Sequence, residues 1–269
     1  MTRTLKTIIR NLLGAIAPQT LTAIQSARSR KHSHRLVREW GLQDLNRKLI
    51  ERYGSKVISG PFVGMTLTER THQEHLGPFL LGCYESELHP WLERIALQHY
   101  SQILDVGAKF GYYAVGLARR MPTSKVIAFD TDWWARAATA EMTAANSVPN
   151  VVPSGFCSPR WLNRHLLPKA FLFSDCEGYE DVLFAQARTT ALDTATLLIE
   201  IHDELVVGVG ASLRVRFART HTVESVLSQP REPIPELLEF LTPAEAASAS
   251  REYRGPQEWL LFTPLTEAR

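Results

Sequence analysis

Two short runs concentrate side chains able to do proton or metal chemistry: D-C-E-G-Y-E at 175–180 and E-I-H-D at 200–203. Asp175, Glu177, Glu200, His202 and Asp203 are the candidates. An imidazole ionises near neutral pH and can take a proton from a hydroxyl while a carboxylate orients it. The same acids are natural oxygen ligands for a hard divalent cation. Glu200 and His202 are two apart, so on a strand they share one face. Gly178 permits the tight path that lets Glu177 project over a sheet edge. We take Glu177, Glu200 and His202 as the catalytic candidates. The alternative for each acid is structural: a helix cap or an arginine pair.

The elements that would position these groups begin at Ser101. Ile103, Leu104 and Val106 form an apolar run of the length of a buried parallel strand. Gly107 and Gly111 bracket a turn, and Tyr112 to Met121 has helical apolar spacing that stops before Pro122. Val126 to Phe129 is a second strand, and Asp130 stands at its carboxyl end, 19 residues after Gly111. Ligands of open α/β sheets bind beyond such ends, where an acid accepts hydrogen bonds from a ribose. The glycine spacing is G-x-x-x-G, without the middle glycine that a pyrophosphate demands. S-adenosylmethionine has no pyrophosphate and tolerates the looser turn. It is therefore the expected cofactor; the alternatives are a nicotinamide or flavin, as in a nicotinamide-dependent oxidoreductase, or a ligand-free turn in a catalytically inactive scaffold that kept the fold. Asp105, Gly107, Ala108, Gly111, Asp130 and Asp175 are the expected cofactor contacts. Asp105 can order the turn or receive the ligand's ammonium.

Further strands are expected near Val151, over Phe171–Asp175, Leu197–His202, Thr222–Leu227 and Trp259–Phe262, with helices between them. That alternation implies a doubly wound α/β sheet with helices on both faces.

D-V-G-A-K-F-G-Y-Y, A-F-D-T-D, D-C-E-G-Y-E and E-I-H-D occur in the order and spacing of the FkbM-type methyltransferases. Over roughly residues 100 to 205 the chain resembles that family. The resemblance implies a class I methyltransferase-like, mostly parallel, seven-stranded sheet whose last two strands form an antiparallel edge. It also implies S-adenosylmethionine as methyl donor and a hydroxyl on a sugar, glycan or natural product as acceptor. Family members often carry Asn where Lys109 stands, so this chain sets a cation in the turn. Thr131 replaces a common proline.

Charge is unevenly distributed. Residues 1 to 38 hold eight Lys or Arg and no acid, while the remainder holds 22 basic and 28 acidic residues. Nothing in this pattern suggests a nucleic-acid groove on the main body. We expect a basic helical arm over 1–55, a lead-in cap over 56–99 and the Rossmann-like domain over 100–269. In the arm, Leu5, Ile8, Ile9, Leu12, Leu13 and Ile16 make one apolar helix face. It would cover the body or a partner, lie on an anionic membrane surface, or serve as a targeting segment. Within the cap, Gly60 to Met65 reads as a turn-rich strand. Tyr84 or Glu85 is placed to reach the cofactor's amino acid end. His72 and His75 read as surface residues, since H-Q-E-H is not a zinc motif. Cys83, Cys157 and Cys176 are odd in number and in no C-x-x-C pair, which points to a reducing, cytoplasmic setting. Cys176 reads as a small packed thiol. No run spans a bilayer.

Overall fold

A strand buried on both faces needs apolar side chains at alternating and intervening positions, and the central strands meet that need. In the computed structural model, which describes residues 35, 37–73 and 75–265, they form one sheet. The strands are β1 (Gln102–Val106), β2 (Lys125–Phe129), β3 (Val151–Ser154), β4 (Phe171–Ser174), β5 (Thr196–Ile201), β6 (His221–Leu227) and β7 (Glu258–Pro264). Their order is β3-β2-β1-β4-β5-β7-β6. Pairings from β3 to β5 are parallel, while β7 lies antiparallel to both β5 and β6. The sheet is thus mixed, and β7 inserts beside β5 instead of closing the outer edge.

Alternation sorts the core into two layers. Ile103, Phe171, Phe173, Leu198, Trp259 and Leu261 face one apolar cluster. Leu104, Leu172, Leu197, Ile199 and Leu260 face the other. The first layer is covered by α1 (Leu42–Tyr53), α2 (Leu76–Leu81), α3 (His89–Ala96) and α4 (Tyr112–Arg120). The helix α5 (Trp133–Ala145) follows β2, with its Asp132 cap accepting from the Trp134 N–H at 3.1 Å. The second layer lies under α6 (Pro159–His165), α7 (Glu180–Gln186) and α8 (Val209–Phe217). Two short helices, α9 (Pro235–Leu238) and α10 (Pro243–Ser250), occupy the insert before β7. A Thr242–Glu245 capping box starts α10.

In α1, Leu42, Leu45 and Leu49 are buried in the same core as the sheet, while Arg47 pairs with Asp44 and Glu51 on the exposed side. This helix is therefore body, not arm. The Leu5–Ile16 face lies outside the described residues. Gly60 to Met65 forms successive turns, not a strand; a single bridge joins Lys56 and Thr66. The turns seat Phe62 edge-on against Tyr112 and Tyr113. His75 is buried, against the surface reading, because its Nε2 accepts from the Tyr253 N–H and its ring packs beside Phe79 and Tyr84. Among the described residues, no helix is long and apolar enough to cross a membrane.

Candidate active site

At the carboxyl end of β1 the chain must turn within reach of β4. Gly107 has φ +95°, and a Cβ there would lie 1.6 Å from the Asp175 carbonyl oxygen. Only glycine fits this contact, which sets the turn directly against the D-C-E-G segment. The Gly107 and Ala108 N–H groups both donate to the Phe129 carbonyl at 2.9 Å. Gly111, at φ +80°, lies against Thr139 and starts α4. Lys109 occupies the left-handed region at φ +46°, which Asn tolerates better than Lys. Its N–H donates to Asp130 Oδ2 at 2.9 Å, its carbonyl accepts from Thr139 Oγ1, and its ammonium sits 5.0 Å from the Phe110 ring centre.

Asp130 ends β2 as the spacing predicts. Besides the Lys109 N–H, its carboxylate accepts from the Asp132 N–H at 2.8 Å. Each oxygen keeps a lone pair for a further donor. Burial pushes this acid up to about 6, against the pull of the Lys109 N–H and Arg136.

Asp105 points inward. It is 1 % exposed, accepts from the Ala114 N–H in the first turn of α4, and leaves Oδ2 without a partner. Its position is that of a residue ordering the turn. Burial, with Asp175 and Asp130 nearby, pushes it up to about 8. An unfolded aspartate ionises near 4. The folded state therefore holds the proton longer, so stability falls as pH rises from about 4 to about 8, by up to about 1.4 kcal/mol per pH unit. Asp105→Asn keeps the acceptor for Ala114 and removes the titration. Urea melts across that window should show a flatter pH dependence for this variant. An unchanged slope would assign the effect elsewhere.

The two acidic runs do converge. His202 is 2 % exposed. Its Nδ1 lies 3.0 Å from Glu180 Oε1, and its Nε2 lies 3.5 Å from both Asp175 Oδ1 and Glu200 Oε2 and 3.9 Å from Glu177 Oε2. Glu177 and Gly178 have successive positive φ values of 57° and 88°. That kink leaves the Glu177 side chain largely exposed at the mouth. Burial disfavours charge on the imidazole, but the Glu180 bond and the charges of Asp175, Glu180 and Glu177 prevail and push it up to about 9. Glu200 is driven well up by burial and by Asp175. Asp203 stays apart, accepting from the Gly210 N–H at 3.1 Å at the start of α8. Its role is the structural one.

Two participants, Glu180 and Arg254, were not legible as site residues in the sequence, and a third, Glu85, was read there only as one of two cap residues within reach of the cofactor. Glu180 is fully buried, held by the Cys176 N–H at 2.9 Å, and orients His202. It lies within D-C-E-G-Y-E, so its type and place were visible but not its inward direction. Arg254, from the insert, pairs with Glu200, with Glu85 at 2.7 Å and with Glu252 at 3.1 Å. No local pattern signals that return. Glu85, half-anticipated in the cap, is 1 % exposed and also accepts from the Tyr113 hydroxyl. Burial is the largest influence pushing it up to about 8, opposed by Arg254. The cap, the insert and β5 are thus tied together behind the acidic cluster. Cys176 packs beside Ser174, as a small thiol should.

No family model matches this sequence, and no curated protein matches it. Solved structures do resemble its fold. An O-methyltransferase from Bacillus cereus in complex with SAH has 14 % identity and a TM-score of 0.45 over 64 % of this chain and 78 % of that one. The O-methyltransferase of tomaymycin synthesis from Streptomyces achromogenes, in complex with SAM, has 16 % identity and a TM-score of 0.44 over 68 % and 81 %. An rRNA methylase from Streptococcus thermophilus has 17 % identity and a TM-score of 0.44 over 65 % and 95 %. Likeness at this level says nothing about the reaction, which rests on the chain's own residues.

Proposed function

We propose that this chain is an S-adenosylmethionine-dependent methyltransferase of the FkbM type, acting on a hydroxyl oxygen. One observation carries the reading. The Gly107–Gly111 turn and Asp130, a nucleoside-binding arrangement, abut the Asp175–Glu200–His202 cluster at the carboxyl ends of neighbouring strands. A methyl donor held on the first would present its reactive end to an acceptor held on the second.

In such a transfer the methyl carbon bonds to the acceptor oxygen as its bond to sulfur breaks, the electron pair staying on sulfur. The hydroxyl proton must leave to a base. An imidazole raised to about 9 is already protonated near neutral pH. Glu177, exposed at the mouth, is therefore the better proton acceptor, while His202 and the buried acids hold the reacting oxygen in place. Leu205, Val206 and Val207 form an exposed apolar lip, the first two within 3.2 Å of a Cβ built on Gly178. Such a lip favours an acceptor with an apolar body next to its hydroxyl, as in a lipid-linked glycan or a natural product.

Calorimetric titration with S-adenosylmethionine, its demethylated product SAH and NAD tests the reading. Saturable binding of the first two and none of NAD is expected. Asp130→Ala should weaken SAH binding by about 1.5–3 kcal/mol, the scale of lost charge-assisted bonds. Binding of NAD alone would overturn the proposal.

A further inference from the structure

The acidic cluster has more negative groups than a proton network needs. Asp175, Glu177, Glu180 and Glu200 surround one imidazole, with Arg254 as the cation opposite. One ligand atom from each of Asp175, Glu200 and His202 lies within 4.8 Å of the others. Asp175 Oδ1 is out of contact with solvent and has no hydrogen-bond partner. His202 is buried and aims Nε2 between Asp175 and Glu200 at 3.5 Å from each, a separation longer than a good hydrogen bond. Ligand atoms about 2.1 Å from a shared cation stand about 3.0–3.4 Å apart, close to the two 3.5 Å separations from His202 Nε2.

The surroundings are those of a metal ligand set. Glu180 takes the Nδ1 side of His202 at 3.0 Å and is itself anchored by the Cys176 N–H. A carboxylate behind an imidazole orients the ring, and a cation that displaces the Nε2 proton would then meet that nitrogen's lone pair. Arg254 engages Glu200 Oε1, which leaves Oε2 toward His202. We propose that Asp175, Glu200 and His202 form a divalent-cation site, with Glu180 as the residue positioning the imidazole. Two carboxylates and one imidazole, without a thiolate, match Mn2+ best, with Mg2+ and Zn2+ as competitors. Cation binding does not depend on the methyltransferase reading. Its consequence does: at this place a cation would hold the acceptor oxygen and ease loss of its proton.

The test is titration of the chelator-treated full chain with Mn2+, followed by the electron paramagnetic resonance signal of the free ion. One saturable Mn2+ per chain is expected, together with a rise in melting temperature on Mn2+ addition. Asp175→Asn and His202→Ala should each weaken binding at least about tenfold, and Glu180→Gln by about tenfold or more, the usual scale for an outer-shell partner. Asp175 is partly exposed and its replacement isosteric, so that variant carries the test if His202→Ala fails to fold. Absence of saturable binding to the unmodified chain, or undiminished binding to Asp175→Asn, overturns the site. A parallel SAH titration separates the two readings. Binding of SAH without Mn2+ keeps the methyltransferase and removes the metal, whereas Mn2+ without SAH does the reverse.

Discussion

Glu177→Gln, by removing the proposed proton acceptor, and His202→Ala, by removing the group that positions the reacting oxygen, are each expected to lower methyl-transfer turnover at least about 100-fold, the usual scale for a lost acid–base or positioning group. SAH affinity should stay within about twofold in both. His202 is the point on which Asp175, Glu177, Glu180 and Glu200 converge, so its removal leaves buried carboxylates facing one another. Glu177 differs, because its side chain is 81 % exposed and its loss should not disturb the core. The Gln variant keeps size and hydrogen bonding and removes only the capacity to take a proton. The proposed nucleoside contacts on the β1 turn and at Asp130 lie clear of both changes, whereas Asp175, also a proposed contact, lies 3.5 Å from His202 Nε2, which makes Glu177→Gln the cleaner of the two tests. Turnover is read as SAH released with an acceptor that supports the unmodified chain. Near-normal rates in both variants would leave the cluster a scaffold tying the cap and the insert to β5.

Gly107→Ala should cost about 3–5 kcal/mol of folding stability, enough to threaten a chain of ordinary stability. Two penalties combine. At φ +95° an L side chain is strained by about 1–2 kcal/mol. The added Cβ would also meet the Asp175 carbonyl oxygen at 1.6 Å, and a backbone atom cannot rotate away as a flexible side chain does. Either β1 or β4 must shift, which would separate the turn from the acidic cluster. Gly155→Ala is the control, since no heavy atom lies within 4 Å of a Cβ built there. It should change stability by less than about 0.5 kcal/mol. Urea unfolding of both variants gives the comparison. A loss below about 1 kcal/mol at Gly107 would mean that the two strand ends do not approach this closely.

What local pattern can encode, the amino-acid order did encode. The β1–turn–α4–β2 unit was legible because apolar runs, glycine spacing and Pro122 act within a few residues of one another. Asp130 and the Glu200–His202 pair were legible for the same reason: a strand end and a period of two are local facts. The four central strands and the helix after the glycine turn followed within a residue or two. Tertiary structure alone decided the rest. His75 is buried because Tyr253, 178 residues later in the chain, donates to its ring. Glu85, Glu200 and Arg254 meet because the insert before β7 returns across the cap, and β7 enters the sheet beside β5. The direction of Glu180, and with it the state of His202, depends on β4 and β5 standing side by side. Composition and periodicity report which face of an element is apolar. They do not report which distant charge will lie opposite a buried acid, because that pairing is set by how whole layers pack, and its energy appears only once water has been excluded.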